Sequence, residues 1–156
     1  MPDVHSPLQR SYNMSRIRGR DTTPEKIVRS LLRAEGCHYR SNVGNLPGKP
    51  DILLPALRIA VFVHGCFWHR HKDCRFTTNP KSNSEFWESK FARTIERDRE
   101  HVRALRKSGW RVVVIWECTA KRTPAAARTK LLRAIKISKA SRRGSDKVSA
   151  SKPKRC

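Results

Sequence analysis

The stretch Pro50-Asp51-Ile52-Leu53-Leu54-Pro55-Ala56-Leu57-Arg58-Ile59-Ala60-Val61-Phe62-Val63 sets the architecture. Residues 52–54 and 58–63 read as two short strands separated by Pro55-Ala56-Leu57. The second is apolar on both faces, the pattern of a strand in the middle of a sheet with both sides covered. Just upstream, Asn45-Leu46-Pro47-Gly48-Lys49-Pro50 is a Pro- and Gly-punctuated loop that delivers Asp51 to the start of the first strand. Just downstream, residues 64–74 form a loop dense in His and Cys.

Working outward, Asp21-Thr22-Thr23-Pro24-Glu25 predicts a helix start, with Thr23 as N-cap, Pro24 at the first helical position and Glu25 where the helix dipole favours an acid. Ile27, Val28, Leu31 and Leu32 recur at helical spacing and Gly36 is a natural stop, so a helix over 24–35 packs one face on the core. A short extended piece follows at 38–41. A long helix opens at Ser84 or Glu85, with Phe86, Trp87, Phe91, Ile95, Val102 and Leu105 near one stripe and Gly109 ending it. Phe86 is assigned to the core. Residues 110–116 are the strongest strand in the chain, a β-branched run expected to be buried on both faces and ending at Glu117-Cys118. Thr123-Pro124 repeats the cap-and-proline signature before a last helix marked by Leu131, Leu132 and Ile135.

These elements divide the chain into an arm at 1–20 with a short helical piece near 13–17, a folded domain at 21–137 and a basic, disordered tail at 138–156. The chain has 156 residues, one domain's worth. Its 35 Lys and Arg against 13 Asp and Glu leave a charge of +22, of which residues 121–156 contribute +12. Such a charge excludes an ordinary neutral enzyme and points to a polyanion, since counterion release from phosphates is the usual source of affinity for such chains. The opening MPDVHSPLQR lacks a signal-peptide core and the longest apolar runs are too short for a membrane span, so a cytoplasmic protein with no membrane partner is expected. In a reducing compartment its five cysteines suit metal binding or catalysis better than disulfides.

Two groups of residues carry chemistry. Cys66, His71 and Cys74, with Cys118 arriving from the end of the last strand, match the four-ligand coordination of structural zinc. The competing reading makes Cys66 and Cys118 small buried hydrophobes and His71 a surface residue. Cys37 and Cys156 are bystanders. The second group is Asp51 at a strand start, His64, His69 and Glu25 in a first helical turn. A carboxylate there can hold Mg²⁺ against a phosphodiester, and an imidazole can take a proton from water near neutral pH. Each carboxylate taken alone is as readily structural. Phe67 and Trp68 inside the Cys/His loop, with Trp87 and Lys90 on the long helix, are candidate DNA contacts, the rings as wedges between base pairs.

Asn13-Met14-x2-Ile17, Asp21-Thr22-x-Pro24-Glu25, Leu46-Pro47-Gly48-Lys49-Pro50-Asp51, Val63-His64-Gly65-Cys66-Phe67-Trp68-His69-x-His71-x2-Cys74, Phe86-Trp87 and Gly109-Trp110-x-Val112-x3-Trp116-Glu117-Cys118 together resemble the very short patch repair (Vsr) DNA mismatch endonuclease family over roughly residues 3–120. The resemblance implies a restriction-endonuclease-like α/β fold, a mixed central sheet flanked by helices with a structural zinc site. It implies a bacterial, nucleoid-associated monomer that nicks duplex DNA 5′ to the T of a T·G mispair, with repair proteins as further partners. Under it, Asp51 and the Val63 carbonyl would hold Mg²⁺, His69 would be the general base, and His64 and Glu25 would position water and phosphate. Cys66, His71, Cys74 and Cys118 would hold Zn²⁺. Phe67, Trp68 and Trp87 would enter from the major groove and the arm near Met14 would close from the minor groove. The Glu-x-Lys usual in restriction-like nucleases is replaced here by Val61-Phe62-Val63, which throws catalysis onto histidine, and Arg70 and Thr94 depart from the family pattern. A nuclease acting on matched DNA, a non-catalytic zinc-stabilised DNA binder and a basic RNA-binding protein are the alternative readings.

Overall fold

The computed structural model describes residues 6–145 except Arg18. Helix α1 spans Pro7–Ser15 and α2 spans Thr23–Ala34. Strands β1 (Arg40–Ser41), β2 (Ile52–Leu54) and β3 (Ile59–His64) follow, with a 3-10 turn at Pro55–Leu57 between the last two. Then come α3 (Ser84–Lys107), β4 (Arg111–Trp116), α4 (Glu117–Arg122) and α5 (Pro124–Ser145). The sheet order is β1-β2-β3-β4; the first two pairings are antiparallel and β3 with β4 is parallel, so the sheet is mixed.

Alternation along the strands sorts the core into two layers. Ile52, Leu54, Ile59, Val61, Val113 and Ile115 pack with Val28 and Leu32 of α2, Ala120 of α4 and Leu131 and Ile135 of α5. Leu53, Ala60 and Phe62 on the other face pack with Leu105 of α3. Strand β3 lies between β2 and β4 with five of its six residues buried, as its two-faced apolar pattern predicts. Strand β4 is buried at Val113 and Ile115 and half-buried on the alternate positions, so its β-branched run overstates its burial.

The helix at 24–35 is present, but its N-cap is Thr22 instead of Thr23: the Thr22 hydroxyl accepts from the Glu25 N–H and donates to the Glu25 carboxylate. The pair satisfies the otherwise orphaned Glu25 N–H and fixes the Glu25 carboxylate at the helix start, a variant of the capping box in which the acid bonds the cap hydroxyl. Four further expectations need correction. The arm's helix covers 7–15 and not 13–17, because Ser6 caps it and Pro7 presets the first turn. Phe86 is 54% exposed; one turn on, Phe91 fills the core position at 8%. Glu117 and Cys118 begin the short helix α4 instead of trailing off a strand. The last helix runs past 138 to Ser145, and Ser138 is buried, its hydroxyl accepting from Arg111 at 3.2 Å. Residues 1–5 and 146–156, the rest of the expected arm and tail, lie outside the described residues.

Candidate functional site

Both chemical groups sit at the C-terminal end of the parallel pair β3 and β4, which register His64 beside Trp116. Brought together there, loop residues 64–74, the start of α4 and the middle of α3 surround a cleft of about 1020 Å³.

Asp51 reaches this cleft because the preceding loop turns sharply. Gly48 adopts φ +73°, and a Cβ there would stand 2.9 Å from the His101 side chain on α3, so no side chain fits. The Asp51 carboxylate accepts from the Val63 N–H at 2.7 Å, tying β2 to the end of β3. Burial pushes its pKa up to about 6; the Val63 hydrogen bond and His69 pull the other way and the Glu25 charge adds to the rise. Glu25, itself buried, thus does two things. Its carboxylate closes the α2 cap, also accepting from the Asp21 N–H at 3.0 Å, and its charge bears on Asp51.

His64 and His69 stack face to face, with ring centroids 3.8 Å apart and planes within 4°. Burial lowers the His64 pKa to about 4, helped by repulsion from His69 and opposed by Asp98. His64 is therefore neutral at physiological pH. His69 Nδ1 lies 2.6 Å from an Asp98 carboxylate oxygen. Burial tends to raise the Asp98 pKa, but the His69 hydrogen bond and the positive field of His69, His64 and Arg97 outweigh it and hold the carboxyl below its ordinary value. Sequence reasoning missed Asp98. One signal was present: Phe91, Asp98 and Leu105 are spaced by seven, so this acid stands in the buried stripe of α3, where a charge needs a partner.

On the other side of Trp116 lie Cys66, His71, Cys74 and Cys118, their ligand atoms all within 4.8 Å of one another. His71 Nδ1 is 3.7 Å from Cys66 Sγ and 3.4 Å from Cys118 Sγ. A zinc tetrahedron with Zn–S of about 2.3 Å and Zn–N of about 2.0 Å has edges of roughly 3.5–3.8 Å. The two His71 distances match those edges, and the donor set fits the ion in chemistry. Burial pushes the Cys66 thiol up to about 12, whereas the Phe76 N–H draws the half-buried Cys74 thiol down. His71 is held below its usual pKa, by burial first and then by Lys130, which favours the neutral imidazole a metal requires. Thr77 closes the loop by donating to the carbonyls of Cys66 and His71 at 3.1 and 2.8 Å. Trp116 divides the two groups: His71 stacks on it at 4.2 Å and His64 meets it edge-on at 5.4 Å.

The candidate DNA contacts also converge. Phe67 meets Trp68, Trp87 and Phe91 edge-on at 5.0 to 5.8 Å, and Lys90 Nζ lies 5.2 to 5.8 Å from the rings of Trp68, Trp87 and Phe86. Trp68, Lys90 and Met14 line the cleft, whereas Phe67 and Trp87 stand behind Trp68 in the cluster. Arg70 lies over Phe91 at 4.1 Å and bonds the Thr78 carbonyl, joining the Cys/His loop to this cluster.

Residues 2–75 match the family model described as DNA mismatch endonuclease Vsr. The chain is 46% identical over 118 residues to the type II nicking enzyme V.XorIIP of Xanthomonas oryzae pv. oryzae, a stretch covering 76% of this chain and 86% of that one. It is 42% identical over 121 residues to the DNA mismatch endonuclease Vsr of Escherichia coli K12, covering 78% and 77%. With the nicking enzyme V.NmeAIP of Neisseria meningitidis it shares 40% identity over 136 residues, covering 87% and 96%. The chain belongs to the Vsr family. It is thus a Vsr-type DNA endonuclease. Among the described residues no helix of this family member is long and apolar enough to cross a membrane.

Proposed function

We propose that this Vsr-family chain is a Mg²⁺-dependent mismatch endonuclease that nicks one strand of duplex DNA, 5′ to the T of a T·G mispair such as deamination of 5-methylcytosine leaves. It acts as a monomer on the bacterial nucleoid, and its mixed sheet is of the restriction-endonuclease type. The observation that carries this reading is that one cleft collects Asp51, the stacked His64 and His69, Asp98, and the Trp68 ring with Lys90 beside it.

Asp98 holds His69 by Nδ1, which leaves Nε2 as the nitrogen that takes a proton from the attacking water. The neutral His64 ring fixes the plane of His69 by stacking and lets only one of the pair carry charge. Asp51 and the Val63 carbonyl would hold Mg²⁺: a hard oxygen donor set, with the half-buried Asp51 under the charge of the buried Glu25, suits a hard cation. When bound, the ion stabilises the extra charge on the phosphodiester. Cys66, His71, Cys74 and Cys118 would hold Zn²⁺, which stiffens the loop that carries His64, His69 and Trp68. Selectivity rests on Trp68 and the rings behind it wedging into the duplex, because a T·G wobble unstacks at lower cost than a paired step.

The test is nicking of matched and T·G duplexes with Mg²⁺ and in magnesium-free buffer, with cut positions mapped on each strand. Cleavage confined to the T strand of the mispair, and only with Mg²⁺, is expected. Equal cutting of matched duplex would make the chain a plain restriction-like nuclease, and binding without cutting a passive DNA clamp.

A further inference from the structure

At the opposite end of the β3 and β4 pair lies a second cavity, of about 500 Å³. Six strand residues, about 20 Å, separate it from the cleft. Four arginines line it from four different elements: Arg58 from the turn before β3, Arg106 from the last turn of α3, Arg111 from the start of β4 and Arg142 from the end of α5. Two are pinned. Arg58 Nη2 donates to the Ser108 carbonyl at 2.6 Å and its guanidinium lies over Trp110 at 4.9 Å. Arg111 Nε donates to the buried Ser138 hydroxyl at 3.2 Å. The other two are exposed.

None of the four is ion-paired with a carboxylate among the described residues. A helix dipole favours a cation in a last turn, which accounts for Arg106 and Arg142 singly. It does not account for Arg58 and Arg111, which the fold fixes beside them although like charges repel. Four convergent guanidiniums without an acid make an anion site, and the planar fork of arginine suits phosphate oxygens. The chain is a DNA endonuclease with a net charge of +22, so the phosphate oxygens within its reach are those of a DNA backbone. We infer that this arginine pocket binds the phosphodiester backbone of a second DNA segment while the cleft holds the first. An endonuclease with two such faces passes between DNA segments without fully dissociating.

The experiment uses the full chain, first saturated with a short unlabelled T·G duplex and then titrated with a labelled matched duplex by fluorescence anisotropy. A second binding step is expected. R106E/R142E should weaken it on the order of tenfold or more and lower its salt slope, since phosphate contacts release counterions. The equal charge change R133E/K136E, at exposed α5 positions outside the pocket, should weaken it far less. T·G nicking within about twofold of the parent in both variants shows that the fold is intact. Absence of a second step, or equal losses in the two variants, would overturn the proposal. So would a charge-matched polyglutamate that displaces the second duplex as well as DNA does, because the pocket would then be one for acidic peptides. Failure of the mismatch reading would show separately, as equal affinities when the free chain is titrated in parallel with labelled T·G and labelled matched duplexes.

Discussion

Two clusters of ligand-type side chains share one loop and one tryptophan, yet they are built on opposite rules. The Cys66, His71, Cys74 and Cys118 set is soft, compact and closed, with all four donors turned on one another. Asp51, His64, His69 and Asp98 are hard donors and proton carriers around a cleft of about 1020 Å³, and burial leaves Asp51 and His64 far from their ordinary pKa values. A closed set spends its ion on holding the chain, whereas an open set keeps room for a substrate. On the proposed reading, only the Trp116 ring stands between the group that holds the fold and the group that reacts.

The hardest blow falls on the open side. Asp51→Ala should lower T·G nicking by at least about 10⁴-fold, roughly 5.5 kcal/mol of barrier, while zinc content stays at one ion per chain and T·G affinity changes little. Nicking gels, metal analysis and anisotropy check the three parts. Cleavage within tenfold of the parent would remove Asp51 from the chemistry. On the closed side, Cys118→Ser should abolish zinc binding and cost the fold about 3–5 kcal/mol, seen as a lower urea midpoint, with nicking lost in consequence. If this variant kept full activity without zinc, the closed set would have no bearing on the cleft.

Proton linkage gives a third test, in magnesium-free, zinc-loaded protein. Asp51 titrates near 6 in the folded state against 3.8 unfolded, so the folded form binds its proton more tightly and stability falls as pH rises from about 4 to 6. His64 titrates near 4 folded against 6.5 unfolded, so here the unfolded chain binds the proton and stability rises with pH from about 4 to 6.5. The two slopes oppose each other between 4 and 6. Asp51→Asn removes the first: the variant should be more stable by about 2–3 kcal/mol above pH 6 and should show the His64 slope alone at lower pH. Urea melts across this range decide it, and a variant no more stable than its parent at pH 7.5 would contradict the raised Asp51 pKa.

The positioning acid comes next. Asp98→Asn keeps the shape of the partner to His69 Nδ1 but removes its charge, and a positioned proton acceptor contributes about 10²–10⁴-fold to such a reaction. Nicking should fall toward the lower end of that range while T·G affinity stays within about twofold, and Asp98→Glu, which restores the charge, should recover part of the loss. A loss of affinity as large as the loss of nicking, or no recovery in Asp98→Glu, would leave Asp98 a packing residue.

Most of this comparison could be read before the fold was known, for reasons that differ by residue. The strand is legible at 58–63, one residue off its observed bounds of 59–64, because a strand covered on both faces is apolar throughout, and the loop 64–74 because Cys and His at metal spacing are scarce in such a polar chain. Glu25 was visible as a first-turn acid, but its reciprocal bonds with Thr22 appear only once the cap forms. Asp98 hid among Glu96, Arg97, Arg99 and Glu100, a run indistinguishable from a solvated helix face until α3 is laid across the sheet. Phe86 and Phe91 show the same limit: both fit an apolar stripe, and only the crossing of α3 over the loop selects Phe91 for burial. The extension of α5 through Ser145 was obscured by its Ser/Lys/Arg composition, which describes the exposed face and misses Ser138 against Arg111.

The smallest expected effect is also the sharpest test of the divide. Trp116 touches both clusters, stacking on His71 and meeting His64 edge-on. Trp116→Phe keeps an aromatic face for His71 but shortens the ring, so the wall between closed and open sets thins without disappearing. Stability should drop by about 1 kcal/mol, as for a modest loss of packed volume. Zinc should remain bound, and nicking should fall less than about tenfold, because the His69 and Asp98 pair is held by its own hydrogen bond at 2.6 Å and does not lean on the indole. Metal analysis alongside single-turnover nicking separates the outcomes. If zinc and activity fell together, the ring would be a shared strut and the two clusters one cooperative unit; if each stayed near its parent value, stability and chemistry are separable across a single side chain.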